Sequence, residues 1–463
     1  MENDNFSVEN TVRTTSASSN EPQNRNRFNL SFSMKIMLKM FVIVVLSLLL
    51  LIPRMMIGEL IDERESNAQG ATDEIAKKWG TAQCIAGPAI FLPAKYEGKT
   101  KLSEDLVLFP ETFNLKGDIN SQTLHRGIYD VAVYNAPLSL EGVFCMTKEL
   151  KDNLALDKFQ LDHAKYMFYI RDLRGLSKNV EITAGQQKEI LLSNGKGFIT
   201  CDADLKNFFN GDTIPYAMEL NLKGSEGLYI LPIGNSSSVD ISSNSCSPSF
   251  TGAFLPNERN IGENGFTADW QVIALNKTFA QKAYQDDFNN NILSDALYKY
   301  TRVKELNESE NFIGISLKTG VNQYQQNTRA NKYAYLIIIL TFITVLIAEI
   351  LKNTPIHIIQ YLLIGIALVL FYCLLLSFSE FLAFGWAYLI AAVMTIGLIT
   401  AYIAAILKIK KTALSIGVLL SALYIYIFVL LRLETLSLLV GSIGLFIILA
   451  LIMRVSQKIN WYK

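Results

Sequence analysis

The chain has 463 residues and equal numbers of basic and acidic side chains, so its formal charge is zero; this excludes a nucleic-acid-binding or polybasic surface protein. Half of the residues are apolar and 18% are charged, against about 25% in soluble domains. The deficit is local: apolar residues concentrate in 36–57 and 333–453, while 58–332 has the composition of an ordinary soluble domain.

Residues 1–34 are polar, rich in Ser, Thr, Asn and Glu, and are expected to form a disordered tail. Lys35 and Lys39 then lead into the apolar run Met40–Pro53. Apolar residues resume after Arg54 with Met55, Met56 and Ile57, and no small-x-small cleavage site follows. The segment 35–57 therefore reads as an uncleaved anchor helix rather than a signal peptide. From Gly58 to Gly80 the pattern stays helical, with Leu60, Ile61, Arg64 and Ala68 on one face, a break expected at Gly70 and a stop at Gly80.

Residues 81–330 change character. Short alternating runs recur at 89–93, 128–134, 166–170, 179–183, 216–222, 228–234, 267–275 and 312–318, separated by Gly, Pro, Asn and Asp. This spacing predicts a large antiparallel β-rich domain of the sandwich type, inserted between the first and second membrane helices. One helix is expected inside it, over 293–308.

From Lys332 onward five apolar stretches follow, at 333–351, 357–379, 381–407, 412–432 and 435–453, before a short tail over 454–463. At about 1.5 Å per residue, about twenty residues cross a hydrocarbon core of about 30 Å. The fold class is thus an α+β membrane protein with six transmembrane helices, one N-terminal and five in a C-terminal bundle. Thr354-Pro355 has the chemistry of an N-cap and first helical residue for the second of these five, 357–379.

Basic residues set the threading. Lys35 and Lys39, then Lys352, then Lys408, Lys410 and Lys411, and finally Arg454, Lys458 and Lys463 fall on one side of a six-span path. Both termini are expected in the cytoplasm and 58–332 outside it.

Within the bundle, Glu349 and His357 flank one short turn and are expected to face each other as an interfacial hydrogen-bonded pair, with Glu380 in the tight turn on the opposite side. The middle of the bilayer holds no ionisable group, which argues against a proton- or ion-coupled transporter. Gly365, Gly385, Gly397, Gly441 and Gly444 suit close helix packing, within the bundle or in a homo-oligomer.

Outside the membrane, two Arg-Gly pairs stand out, in His125–Asp130 and Arg171–Leu176. Each is expected to mark a turn whose glycine takes positive φ and whose arginine pairs locally with Asp130 or Asp172; the alternative is a guanidinium offered to a carboxylate or phosphate. Three scattered histidines and the lack of H-E-x-x-H, G-x-S-x-G, P-loop or dinucleotide patterns point to neither metal nor cofactor. Cys84, Cys145, Cys201 and Cys246 show no paired spacing, which leaves disulfides and free thiols both open.

Several stretches together resemble one family. They are IDER (Ile61–Arg64), Trp79–Pro93 with Trp79, Gly87 and Pro88, and Leu108–Phe144 with His125, Arg126, Gly127 and Tyr129. They continue with RDLRGL, holding Asp172, Arg174 and Gly175, and Pro248–Val272, holding Pro248, Phe250, Phe266 and Trp270. The last are Tyr324–Lys352 and the segment from His357 through Gln360 to Glu380. In order and spacing these resemble the CreD family of bacterial inner-membrane cell-envelope integrity proteins over about residues 35–407, with the last two spans fitting by hydropathy only. The resemblance implies an inner-membrane protein with a periplasmic domain, tied to envelope integrity, colicin tolerance and a two-component regulon, with no catalytic activity to carry over. The chain departs from the family's pattern at Ser245, Cys246 and Ser247, at Lys277 and at Phe381.

The expected function is a non-enzymatic envelope protein whose domain, tethered at both ends, docks an envelope partner or lipid at the bilayer. A lipid-handling or transport protein capped by the domain is the alternative. A periplasmic hydrolase would need Asp130, Asp172, His125 and Asp269 to converge.

Overall fold

The computed structural model describes residues 32–152, 154–195, 197–206, 208–293, 311–317, 323–352, 354–433 and 437–457. The tail expected over 1–34 lies almost wholly outside these residues, as do residues 458–463 and the helix expected over 293–308, save Leu293.

The anchor is a helix in two collinear parts, Phe32–Leu49 and Leu51–Trp79. They join at Leu50, where Pro53 has no N–H to return to the carbonyl of Leu49. The helix runs unbroken through Gly70, against expectation: a Cβ there would meet nothing within 4 Å, and the Gln69–Asp73 and Glu74–Lys78 contacts span the same turns. It stops at Gly80 (φ 140), whose N–H reaches the Ala76 carbonyl at 2.9 Å. The stretch Met37–Trp79 covers 43 residues, or about 65 Å, twice the hydrocarbon thickness. About half of the rod therefore stands clear of the bilayer.

That projecting half carries a two-sheet sandwich. The eight-stranded sheet runs Glu258–Gly262, Gly265–Ile273, Ser236–Ser243, Thr112–Arg126, Tyr129–Cys145, Thr213–Ser225, Glu181–Ala184, Gln187–Ile190. The nine-stranded sheet runs Leu192–Gly195, Phe198–Asp202, Lys165–Ile170, Gln83–Leu92, Gly227–Ile230, Ile313–Ser316, Ser249–Gly252. Of its remaining strands, Leu106–Leu108 pairs with the end of Gln83–Leu92, and Lys282–Tyr284 pairs with Leu106–Leu108. All eight expected strand runs are strands. Among the described residues pairing is antiparallel except at two places, Gln83–Leu92 with Gly227–Ile230 and Thr112–Arg126 with Ser236–Ser243. Both exceptions come from the chain changing sheets: it leaves Thr213–Ser225 through Glu226 (φ 63), enters the second sheet, and returns at Ser236. Inward side chains of both sheets fuse into one core that includes Phe113, Tyr134, Phe168 and Trp270.

A polar helix, Gln323–Lys332, returns the chain to the membrane. It lacks an apolar stripe and is held by specific bonds, Asn327 Nδ2 to Ser379 Oγ at 2.8 Å and Arg54 Nε to the Asn331 carbonyl at 3.1 Å. The bundle follows: Ala334–Lys352, Ile358–Ser379, Phe384–Leu407, Lys410–Arg432 and Ser437–Ser456. The first four, with the anchor, are long and apolar enough to cross a membrane, and the last is a 20-residue apolar helix beside them. The helix Ile358–Ser379 starts later than Thr354-Pro355 suggests. Its N-cap is His357, whose Nδ1 accepts the Ile359 N–H while Gln360 Oε1 accepts the His357 N–H, a reciprocal capping box. Phe371 centres the bundle core, edge-on to Tyr372, Tyr388 and Tyr424.

Candidate functional site

The structure sorts the sequence-marked residues into two joints, one clamp, a core cluster and an open sheet face. The first joint lies where the anchor helix ends. Trp79 Nε1 donates to the Tyr134 carbonyl at 3.2 Å, and Lys223 Nζ stands 4.9 Å over the indole ring. Beside it, Asp172 accepts from Thr81 N–H (3.1 Å) and from Arg174 Nε and Nη2 (both 2.8 Å), while Arg174 Nη1 reaches back to the Lys77 carbonyl at 2.9 Å. The local Asp172–Arg174 pairing expected of the second Arg-Gly pair is thus present. Its glycine serves a different purpose than expected. Gly175 has no positive φ; a Cβ there would stand 2.3 Å from both Gln83 Nε2 and the Lys223 carbonyl. Gln83, fully buried, bonds the carbonyls of Asp172 and Lys223.

The second joint lies lower on the same helix. Arg64 reaches Glu380 in the tight turn between membrane helices at 3.5 Å and is hydrogen-bonded to the Tyr129 side chain. Arg126, at the tip of the central hairpin, grips Glu74 with Nη2 at 2.8 Å and Nε at 3.1 Å. The expected Arg126–Asp130 pair is therefore corrected: Asp130 bonds His125 at 2.7 Å, and the arginine is drawn across to the helix. Gly127 does turn the hairpin with φ 62. Replacing Arg64 by Ala or Glu380 by Gln is expected to cost no more than about 1 kcal/mol, since such partly exposed pairs are weak. Amide hydrogen exchange at 126–130 should nevertheless rise; unchanged exchange would mean the hairpin is held elsewhere.

At the far end of the bundle, Glu349 and His357 do not pair. Glu349 accepts from Tyr361 OH at 2.8 Å and from the Ile356 N–H at 3.1 Å, and forms an ion pair with Lys39 of the anchor. His357 is occupied with its cap, and Gln360 with the same box.

Other marked positions are core. Gly87 (φ 129) and Pro88 form the bulge in Gln83–Leu92, where a Cβ on Gly87 would lie 2.7 Å from the Phe168 ring. Phe250, two residues after Pro248, stacks edge-on against Phe266 and Trp270 at 5.5 and 5.6 Å. Lys277 donates to the Ile233 carbonyl at 3.3 Å and to that of Gly234; burial brings its amine down to about 8, against the pull of Glu111.

The open face is the outer surface of the eight-stranded sheet, a groove of about 1350 Å³. Its strand registry aligns Glu258, Asp269, Asp240 and Lys116 in one cross-strand row, continued by Ser139 and Glu219. Charges of both signs line it and, among the described residues, no aromatic ring does. Ser242 Oγ donates to Asp118 at 2.7 Å and Lys188 pairs with Glu181 at 2.8 Å, so part of the face is braced internally. The four residues a hydrolase would need do not converge: Asp269 is in the groove, Asp172 in the first joint, and His125 and Asp130 at the exposed hairpin tip. All five cysteines are free thiols.

Sequence reasoning missed Gln83, Glu74, Tyr134 and Lys223. Only Gln83 left a signal, a polar residue opening an otherwise apolar buried strand. The sheet face left none, because its residues are the ordinary polar half of alternating strands.

The family model for the inner membrane protein CreD matches residues 35–462. The Inner membrane protein CreD of Escherichia coli (strain K12) is 30% identical over 437 residues, covering 90% of this chain and 91% of that protein. The chain belongs to the CreD family and is a multi-pass inner membrane protein. The match also takes in the last two spans, beyond the reach of the motifs alone.

Proposed function

We propose that this CreD-family chain is a non-enzymatic envelope-integrity protein. Its sandwich lies in the periplasm, both termini lie in the cytoplasm, and the outer face of the eight-stranded sheet is a docking surface for an envelope protein. The observation that carries the reading is the use made of the family-marked residues: Trp79, Arg126, Asp172 and Arg174 brace the sandwich to the anchor helix, and Arg64 ties that helix to Glu380 of the bundle and to Tyr129 of the sandwich. A domain fixed at two joints holds one face at a set orientation to the bilayer, which suits a scaffold or receptor. Rows of opposite charge favour a protein surface of complementary charge, and with no ring to stack on a sugar the groove suits a glycan less well.

The test is in-cell crosslinking of the full chain with a photoreactive residue at Ser139, Glu219 or Thr267, and at the exposed Leu275 as control. One discrete protein adduct from the three groove positions, absent from the control, is the expected result. No adduct, or the same adducts at all four positions, overturns the assignment of this face.

A further inference from the structure

Between the anchor and the helix Ala334–Lys352 lies a cleft of about 540 Å³ within the membrane-spanning part of the molecule. Its walls are almost wholly apolar, built from Ile43, Val44 and Leu48 on one side and Ile338, Ile339 and Leu346 on the other. Polar contacts close both ends of this gap, one to the helix Ala334–Lys352 itself and one to the helix Gln323–Lys332 that leads into it. Lys39 pairs with Glu349 at one end; at the other, Arg54 Nε donates to the Asn331 carbonyl at 3.1 Å, and Asn331 Nδ2 returns to the Arg54 carbonyl at 3.4 Å. Between these ties Ile43, Leu46 and Leu50 pack inward on the bundle core, and the outer faces of the two helices leave the cleft open. Protein interiors do not leave such gaps empty, and Val44, Leu48 and Ile339 are exposed where hydrocarbon would meet them.

Arg54 lines the end of the cleft nearer the sandwich. One nitrogen is spent on Asn331, and among the described residues no carboxylate pairs with the guanidinium. Asn331 Oδ1 beside it is buried without a partner. From Lys39 to Arg54 is about 22 Å along the helix, less than the hydrocarbon core of about 30 Å, so Arg54 stands short of the opposite headgroup layer. A cation there needs an anion within reach of its snorkelling side chain. Arginine's planar fork matches a phosphate in two hydrogen bonds.

We propose that this cleft is a phospholipid site: an acyl chain lies between the anchor and Ala334–Lys352, and the phosphate of a lipid in the leaflet nearer the sandwich pairs with Arg54. The volume falls within the usual range for small-ligand pockets, about 300–1,000 Å³. The lipid completes the packing of the anchor's outer face, whose inner face already packs on the bundle core.

The test uses the full chain, delipidated in detergent and titrated with phosphatidylglycerol or with diacylglycerol of the same chains, bound lipid being counted by native mass spectrometry. Saturation at one phosphatidylglycerol is expected, with diacylglycerol weaker by about tenfold or more, the worth of a charge-assisted hydrogen bond. Arg54→Leu should bring phosphatidylglycerol to the diacylglycerol level, Arg54→Lys should keep most of the difference, and Ile339→Trp, which fills the cleft, should remove both lipids. Equal binding of the two lipids, or wild-type binding by Arg54→Leu and Ile339→Trp, overturns the proposal. So does a lipid-free dimer that Ile339→Trp dissociates, since a second copy would then be the occupant.

Discussion

Trp270→Ala is expected to destabilise the sandwich by about 3–5 kcal/mol, the usual cost of emptying a large aromatic site. The indole is fully buried, its Nε1 donates to the Phe254 carbonyl at 3.1 Å, and Phe250 packs edge-on against it at 5.6 Å. Truncation leaves a cavity and an orphaned carbonyl together. Domains are stable by about 5–15 kcal/mol, so the change removes a large share of the total. The bundle has its own core around Phe371, apart from the one that holds Trp270. Thermal unfolding of the full chain in detergent should therefore show a lowered first transition for the sandwich and an unmoved helical one. Trp270→Phe, which keeps a ring, should recover most of the loss. A variant that melts within about 1 kcal/mol of wild type would be at odds with this cost and with the packing described.

How far the sequence carries a reader depends on which physical rule wrote each element. The membrane helices were legible because about twenty uncharged apolar residues have few other uses; their bounds shifted by a few residues, and at Ile358–Ser379 side chains chose the cap, His357 with Gln360 instead of Thr354 with Pro355. The strands with alternating Val, Ile, Tyr and Trp were legible for the same kind of reason. Thr112–Arg126 and Ser236–Ser243 were not, although they form the middle of one sheet. Their outward positions are Asn, Lys, Asp and Ser, residues that also write loops, and the buried alternate positions are too few to outweigh them. At the joints, residue types were legible and partners were not. Arg126 and Asp130 are near in sequence, yet Glu74, 52 residues away, holds the guanidinium. Lys39 and Glu349 are separated by 310 residues, and nothing local in either stretch names the other. The resemblance found one side of the joints, Arg64, Trp79, Arg126, Asp172 and Arg174, because it reads order and spacing; their partners and shared purpose emerge only from contact.

Asp172→Ala is expected to loosen the first joint and to lower stability by about 2–3 kcal/mol, the range for a charged hydrogen-bonded group removed from its partners. Its carboxylate gathers donors from Thr81 (N–H at 3.1 Å, Oγ1 at 3.2 Å) and Arg174 (N–H at 3.1 Å, Nε and Nη2 at 2.8 Å). Arg174 is half exposed and can return to water, which keeps the loss below that of a fully buried pair. Burial alone would raise the Asp172 carboxyl, but the hydrogen bonds from the Arg174 side chain and from the N–H groups of Thr81 and Arg174 outweigh it and hold the group below its ordinary 3.8. A depressed carboxyl binds fewer protons folded than unfolded, so its stabilisation is full above the ordinary value and is lost as pH falls through the depressed one. The wild-type joint should therefore weaken in acid, and Asp172→Asn, which keeps the shape without the charge, should lose that pH dependence. Spin labels at Gln69 on the anchor and Lys188 on the sandwich read the joint directly. A narrow distance distribution is expected in wild type at neutral pH, broadening in Asp172→Ala and, for wild type, on acidification. A narrow distribution kept in Asp172→Ala would place the rigidity of the sandwich in the lower joint, where Arg126 grips Glu74, and would leave Asp172 a purely local turn residue.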